Sequence, residues 1–320
     1  MSVPDGPQQI PSCAAARRSY TLKAGSRPIT LGPATRIMGV VNVTPDSFSD
    51  GGRFFSTDRA VAQAERLAEE GADILDVGGE STRPFSDPVS EEEELRRVIP
   101  VIRSIVTRLD VPVSIDTKKA AVARAAVEAG ATVINDIGAL RLDPEMAKAA
   151  AETGAALVVM HMLGTPKTMQ QAPSYEDLFG EIGAFLKAAV ERAVDAGVPR
   201  SQVVVDPGIG FGKTVAHNLL LLRHVGAFSE LDAPILVGPS RKAFIRKLLK
   251  PADVGDISPD LPQVATGTQA AAAAAALAGA HIVRVHDVAE TAATLRIVDA
   301  IRNVAASESG LLFSSRKNFS

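Results

Sequence analysis

Eight short apolar runs rich in β-branched residues recur along this chain, and no other feature constrains its fold as tightly. They are Ile37–Asn42, Ile74–Val77, Val113–Asp116, Thr132–Asn135, Ala156–His161, Val203–Asp206, Ile235–Val237 and Ile282–Val285. Their starts fall roughly 35 residues apart on average, the length of one βα unit. Such alternation is the pattern of a parallel sheet covered by helices, and eight units point to closure into a barrel. An open doubly wound sheet also accommodates eight strands, but its ligand sits at one switch point, whereas nearly every run here ends in polar residues. The reading is therefore α/β, a single (β/α)8 TIM barrel with an N-terminal hairpin extension.

Punctuation between the runs agrees. Thr57–Gly71 has helical spacing, with Ser56 or Thr57 as its cap and Gly71 past its end. Glu70-Gly71-Ala72, Ala129-Gly130-Ala131, Thr153-Gly154-Ala155 and Ala278-Gly279-Ala280 repeat one device: helix stop, tight turn, next strand. Residues 1–18 read as a loose arm, 19–307 as the barrel domain and 308–320 as a polar tail, with Tyr20–Leu31 a small hairpin plugging the barrel's bottom. Glu91–Glu94 read as a solvated helix N-terminus favoured by the helix dipole, not as a metal site.

Composition narrows the partners. A formal net charge of −3 leaves no basic excess to condense on a nucleic acid or an anionic membrane. The first residues lack a secretory pattern, and the apolar run Ala270–Leu277 is too short to span a bilayer, so no membrane is expected. One cysteine, Cys13, permits neither a disulfide framework nor a thiolate metal cage, which fits a reducing cytosol.

The chemistry sits where the runs stop. The first enters a loop of hydroxyls, carboxylates and glycines, Thr44–Gly52, that reads equally as a ligand-covering segment or a capped turn. The second exits through Gly78-Gly79 to Thr82-Arg83-Pro84, where a stiffened arginine can fork onto a diphosphate or carboxylate, or remain a solvated charge. Asp116, Asn135 and Asp206 each place an acceptor at a run's end. One alone reads as a helix cap, but three converging in a barrel mouth repel one another unless a donor-rich ligand, such as a guanine-like heterocycle, satisfies them.

Gly208–Thr214 imitates nucleotide motifs without matching one. A Walker loop needs glycine where Pro207 stands, and in G-x-G-x-x-G the third glycine would come one residue after Gly212. The segment reads instead as a flat turn that lets Phe211 and the backbone approach a ligand, or as a plain connection. After the last two runs come Ser240-Arg241-Lys242 and Arg284-Val285-His286, a cation cluster where barrels commonly bind phosphate. Arg284 and His286, two apart on a strand, share a face. The five histidines show no zinc spacing; His161 stays open between site and core, and His217, His224 and His281 read as satisfied structural groups.

Gly39–Gly52, Asp73–Pro84, Ser114–Thr117, Ile134–Ile137, Asp206–Lys213, Gly238–Lys242 and Arg284–Val288 resemble, in order and spacing, the signatures of dihydropteroate synthases, over roughly residues 36–305. The resemblance implies condensation of a dihydropterin diphosphate with 4-aminobenzoate, with loss of pyrophosphate, in a homodimeric cytoplasmic enzyme of folate biosynthesis that is a sulfonamide target. It implies that Asp116, Asn135, Asp206 and Lys242 line the pterin pocket with Met160, and that Arg284 stacks on the pterin and reaches the diphosphate. His286 and Asn42 are similar to the family's pyrophosphate ligands, Asn42 also holding Mg²⁺. Phe48, Asp50, Thr82, Arg83 and Pro84 look like the mobile loops that build the 4-aminobenzoate site, with Phe211, Ser240 and Lys242 as its other wall. Phe85-Ser86 departs from the small Gly-Ala-like pair usual there. A pterin-binding methyltransferase domain is the nearest rival, but it does not need the Ser240, Arg241, Lys242, Arg284, His286 cluster; a silent pterin-binding barrel is the next, but it would be expected to have lost ligands such as Asp116, Lys242 or Arg284, and all are present.

Overall fold

The computed structural model describes residues 17–24, 27–43, 52–80, 88–164, 169 and 172–304, excepting the side chains of Arg27 and of residues 52–56. The first two strands, β1 (Tyr20–Ala24) and β2 (Arg27–Leu31), form an antiparallel hairpin. Eight parallel strands follow: β3 (Arg36–Asn42), β4 (Ile74–Gly78), β5 (Val113–Asp116), β6 (Val133–Asp136), β7 (Ala156–Met160), β8 (Val203–Asp206), β9 (Leu236–Val237) and β10 (Ile282–Val285). Their order is β8-β7-β6-β5-β4-β3-β10-β9, and a parallel bridge between Val205 and Ile235 joins β8 to the chain entering β9, closing the barrel. The expected runs are all strands, shifted by a residue or two at several ends.

Helices cover the outside: α1 (Gly52–Glu69), α2 (Glu91–Arg108), α3 (Ala120–Glu128), α4 (Met146–Thr153), α5 (Leu178–Asp195), α6 (Val215–Arg223), α7 (Ala243–Leu249), α8 (Pro262–Leu277) and α9 (Val288–Asn303). The first starts at Gly52, a turn earlier than the cap expected at Ser56 or Thr57. Two helices, α7 and α8, follow β9 instead of one. Ser90 caps α2 by accepting from Glu93 N at 3.2 Å, but the solvated reading of Glu91–Glu94 fails at its last member. Glu94 is fully buried and ion-paired with Lys119, because the helix turns that position onto the barrel.

Alternate strand residues face opposite ways, and the two faces form two cores. Outward residues such as Val41, Leu75, Ile115, Ile134, Val159 and Val205 pack against the helices. Inward residues near the strand starts, Met38, Ile74, Val133, Val204 and Ile282 among them, cluster with Leu22, Ala24, Ile29 and Leu31 of the hairpin. The hairpin therefore seals the bottom with apolar contacts, as expected. Arg17, counted with the arm, lies buried just before it and pairs with Asp299 at 2.9 Å and Thr35 Oγ1 at 2.7 Å.

Candidate active site at the barrel mouth

Moving up four of the strands by two, the same inward face changes from apolar to polar: Ile74 gives way to Asp76, Val133 to Asn135, Val204 to Asp206 and Ile282 to Arg284, while on β5 the polar Ser114 precedes Asp116. Strand closure brings these side chains together beneath the mouth. Arg284 donates from Nε to Asp76 Oδ2 at 2.6 Å and from Nη2 to Asp116 Oδ2 at 2.8 Å. Asn135 donates from Nδ2 to the same Asp76 oxygen at 3.0 Å, which leaves its amide oxygen as the acceptor side.

Asp76 Oδ1, Asp116 Oδ1 and Ser114 Oγ are buried without a hydrogen-bond partner among the described residues. Buried acceptors lacking donors are costly, and such a set is what a ligand rich in N–H groups would satisfy. Burial pushes the Asp116 carboxyl up, Arg284 draws it down and Asp76 pushes it up again, leaving it at about 7.

Asp206 is held by the turn that follows it. Pro207 removes the adjacent N–H, yet the next one, of Gly208, donates to Asp206 Oδ1 at 2.7 Å, so only part of the carboxylate remains for a ligand. Burial raises its pKa to about 6 against the opposing pull of that hydrogen bond, Lys242, Lys213 and Arg284. Gly208 is glycine of necessity: its φ is +72°, and a Cβ there would collide with the carbonyl oxygen of His161. The turn it begins carries Phe211 onto a cluster with Ile137, Met160, Met162 and Met169, and Lys242 Nζ stands 3.9 Å from the Phe211 ring centroid. Met160, Phe211 and Lys242 are thus neighbours on one wall.

Next along the rim, β9 and β10 are paired strands, and the turns after them are linked twice. Ser240 Oγ lies 2.9 Å from His286 Nδ1, and Arg241 forms ion pairs with Asp287 and Asp260. Arg241 therefore leaves the anion-binding cluster expected of it: two carboxylates already occupy its guanidinium. Burial lowers the His286 pKa to about 3, helped by Arg284 and Arg241. Asn42 stands exposed at the end of β3. Phe48, Asp50, Thr82, Arg83, Pro84 and Phe85-Ser86 lie outside the described residues. Among the described residues, no three His, Cys, Asp or Glu side chains group to hold a metal ion, and no helix is long and apolar enough to cross a membrane.

Comparison with known proteins gives the family. Residues 38–286 match the family model described as "Pterin binding enzyme". The dihydropteroate synthase of Synechocystis is 45% identical over 280 residues, 88% of this chain and 94% of its own. The chain belongs to the dihydropteroate synthase family. Solved members of the family share its architecture. The Yersinia pestis enzyme, in a sulfonamide drug complex, has 44% identity and a TM-score of 0.82 over 89% of this chain and all of its own. The Xanthomonas albilineans enzyme with 4-aminobenzoic acid has 46% identity and a TM-score of 0.81 over 90% of this chain and all of its own.

Two residues at this mouth escaped the sequence reading. Asp76 was visible only as one inward position of a strand, although the inward spacing that singles out Asp116 and Asp206 also reaches it. Lys213 is buried, with Nζ 3.0 Å from His161 Nδ1 and 3.0 Å from the Phe211 carbonyl oxygen. Burial drags its pKa down to about 7, while Asp206 opposes the fall. No local pattern marks a lysine for burial; the histidine that receives it is fifty-two positions away. His217 and His281 are satisfied structural groups, one in a capping box with Thr214 and one accepting from Ile235 N at 3.0 Å.

Proposed function

We propose that the barrel mouth binds a dihydropterin diphosphate pterin-end down and the arylamine above it. The chain is a transferase, a dihydropteroate synthase that condenses 6-hydroxymethyl-7,8-dihydropterin diphosphate with 4-aminobenzoate to 7,8-dihydropteroate and pyrophosphate. One observation carries the orientation: unpartnered buried acceptors form the floor, and the cation Lys242 lies in the turn beyond β9, against Phe211. Asp116, Asp206 and the Asn135 amide oxygen accept from the pterin's amino and ring N–H groups. Met160 and Phe211 pack against the ring, and Lys242 meets its oxo side. On ligand entry Arg284 turns from Asp76 and Asp116 toward the ring face and diphosphate, where it and His286 stabilise the departing pyrophosphate.

Substitution is dissociative in this reading. Asp116 and Asp206 offset the positive charge that develops on the pterin's exocyclic carbon, and the aniline nitrogen attacks, losing its proton after the bond forms. Positioning two substrates and preorganised charge supply most of the acceleration. Mg²⁺ suits the donor set, since it keeps several waters and takes one or two protein oxygens besides substrate phosphate, and the exposed Asn42 amide is one such oxygen. When bound it would neutralise charge on the leaving group.

In this reading the 4-aminobenzoate site has Phe211, Ser240 and Lys242 as one wall and Phe48, Asp50, Thr82, Arg83 and Pro84 of the first two loops as the other. The same site would take a sulfonamide of the class carried by the Yersinia pestis relative. We assign the enzyme to the cytoplasm on its single cysteine, and to a homodimer on the apolar groove between α6, α7 and α8, where Leu219, Leu248 and Leu249 are exposed. The test of the reaction is direct. Protein incubated with the diphosphate, 4-aminobenzoate and Mg²⁺ should release pyrophosphate only when both organic substrates are present; release from the diphosphate alone would sink the condensation.

A further inference from the structure

Ser240 and His286 stand at the ends of neighbouring strands, three residues beyond β9 and one beyond β10. Two contacts join them. The His286 backbone N–H donates to Ser240 Oγ at 3.2 Å, and the same oxygen lies 2.9 Å from the ring's Nδ1. The flanking pair, Arg241 with Asp287, pins the two turns together, and Arg241 N donates to Thr268 Oγ1 at 3.1 Å, so the link does not depend on the serine alone.

Proton counting decides the direction of the side-chain contact. A serine hydroxyl has one proton to give. If Nδ1 carried hydrogen and donated, Ser240, only 6% exposed, would keep a buried O–H with no acceptor among the described residues. If the hydroxyl donates to Nδ1, both atoms of the contact are matched: Oγ accepts from the backbone and gives its proton to the ring. We propose that Ser240 is a positioning residue that holds His286 as the neutral Nε2–H tautomer, so that His286 meets the diphosphate as a fixed hydrogen-bond donor and not as a cation.

Charge in the neighbourhood favours the same form. Burial does most to keep the ring neutral, and the charges of Arg284, Arg241 and Lys242 add to it against the carboxylate of Asp287. The positive charge that meets the leaving group therefore belongs to Arg284, and the histidine contributes direction. A neutral donor also keeps its proton when pyrophosphate leaves, so the ring needs no reset between turnovers. This inference rests on the placement of the diphosphate proposed above, and its test separates the two.

Nitrogen-15 histidine labelling with long-range proton–nitrogen spectra reports ring tautomers directly, with His286 assigned through His286→Gln. In the ligand-free protein His286 should show a bare Nδ1 and a protonated Nε2, unchanged from about pH 5.5 to about pH 8, the window in which an ordinary histidine titrates. Ser240→Ala should mix the tautomers and weaken pyrophosphate binding about tenfold, one good hydrogen bond's worth in charged company, and Ser240→Thr should restore both. A doubly protonated ring, a protonated Nδ1, or an Ala variant with the parent spectrum would overturn the proposal. Adding pyrophosphate should shift Nε2. A resonance unmoved at saturation would overturn the diphosphate placement while leaving the tautomer assignment standing.

Discussion

Asn135 donates from Nδ2 to Asp76 Oδ2 across 3.0 Å, and that oxygen also accepts Arg284 Nε at 2.6 Å. Asp76 thereby settles two things at once: which end of the Asn135 amide faces the ligand, and where the guanidinium rests without one. It does so from a wholly buried position. Asp76→Asn keeps the shape but lets Asn135 turn and leaves Arg284 with one carboxylate fewer. Breaking a buried charge pair costs about 3–5 kcal/mol, so a drop of that order in urea unfolding is expected. Pterin affinity, measured by calorimetry, should fall at least ~10-fold. Parent-like affinity would show that the orientation of Asn135 does not matter to the ligand.

Asp206→Asn turns an acceptor into a donor facing donors. With charge-assisted bonds worth roughly 1.5–3 kcal/mol each, pterin affinity should drop at least ~100-fold. The Asx-type contact to Gly208 N survives through the remaining oxygen, so the turn should hold and the melting temperature should change little. Affinity within a few fold of the parent would reduce Asp206 to a turn-former.

Pterin binding should depend on pH through the floor carboxyls. Both are raised, Asp206 to about 6 and Asp116 to about 7, so each loses its charge as pH falls through that value. A protonated carboxyl offers one acceptor fewer to the pterin's donors. Affinity should therefore be full above about pH 8 and decline steadily below about pH 7. A flat profile between pH 5 and pH 8 would mean that neither carboxyl must be ionised to hold the pterin.

Lys213 makes a linkage prediction of definite sign. Its folded pKa, about 7, lies below the ordinary lysine value of 10.5, so between those limits the unfolded chain binds more protons than the native one. Stability then rises with pH across that window on this group's account. Lys213→Met removes the effect and leaves His161 Nδ1 and the Phe211 carbonyl without their buried donor, at a cost of about 1–3 kcal/mol. The deficit of the variant in urea unfolding should be larger at pH 9 than at pH 7. A deficit that shrinks with pH would contradict the assignment.

Arg284→Ala should weaken binding of the diphosphate far more than that of the bare hydroxymethylpterin. Loss of the guanidinium also exposes Asp76 and Asp116 to each other, so the bare pterin should suffer as well, by a smaller factor. Equal losses for the two ligands would remove Arg284 from the anion site.

Much of this molecule was legible from short-range pattern. Eight apolar runs with crossover spacing specify a barrel, because parallel strands need covering helices and the two faces of a strand alternate. That alternation also exposes Asp116, Asn135, Asp206 and Arg284, each inward-facing at a strand's end. The Gly208 turn was readable as a close approach of backbone, since no other residue tolerates that φ in that space. Other assignments went astray for one reason. Glu94 was read from the helix dipole alone, but Lys119, on another loop, decided its place. Arg241 was counted with the anion-binding cations until Asp260 and Asp287 took it. Lys213 passed unnoticed because its partner His161 belongs to a different strand end.

By itself, then, the sequence determined the alternating elements, the barrel they close into and the ring of polar residues at its mouth, all of which follow from residues within a few positions of one another. Only the tertiary structure decided which of those polar groups neutralise each other and which are left to a ligand. Arg284 meets carboxylates 208 and 168 positions away, and such pairings depend on which strands closure makes neighbours and on how much water that closure removes.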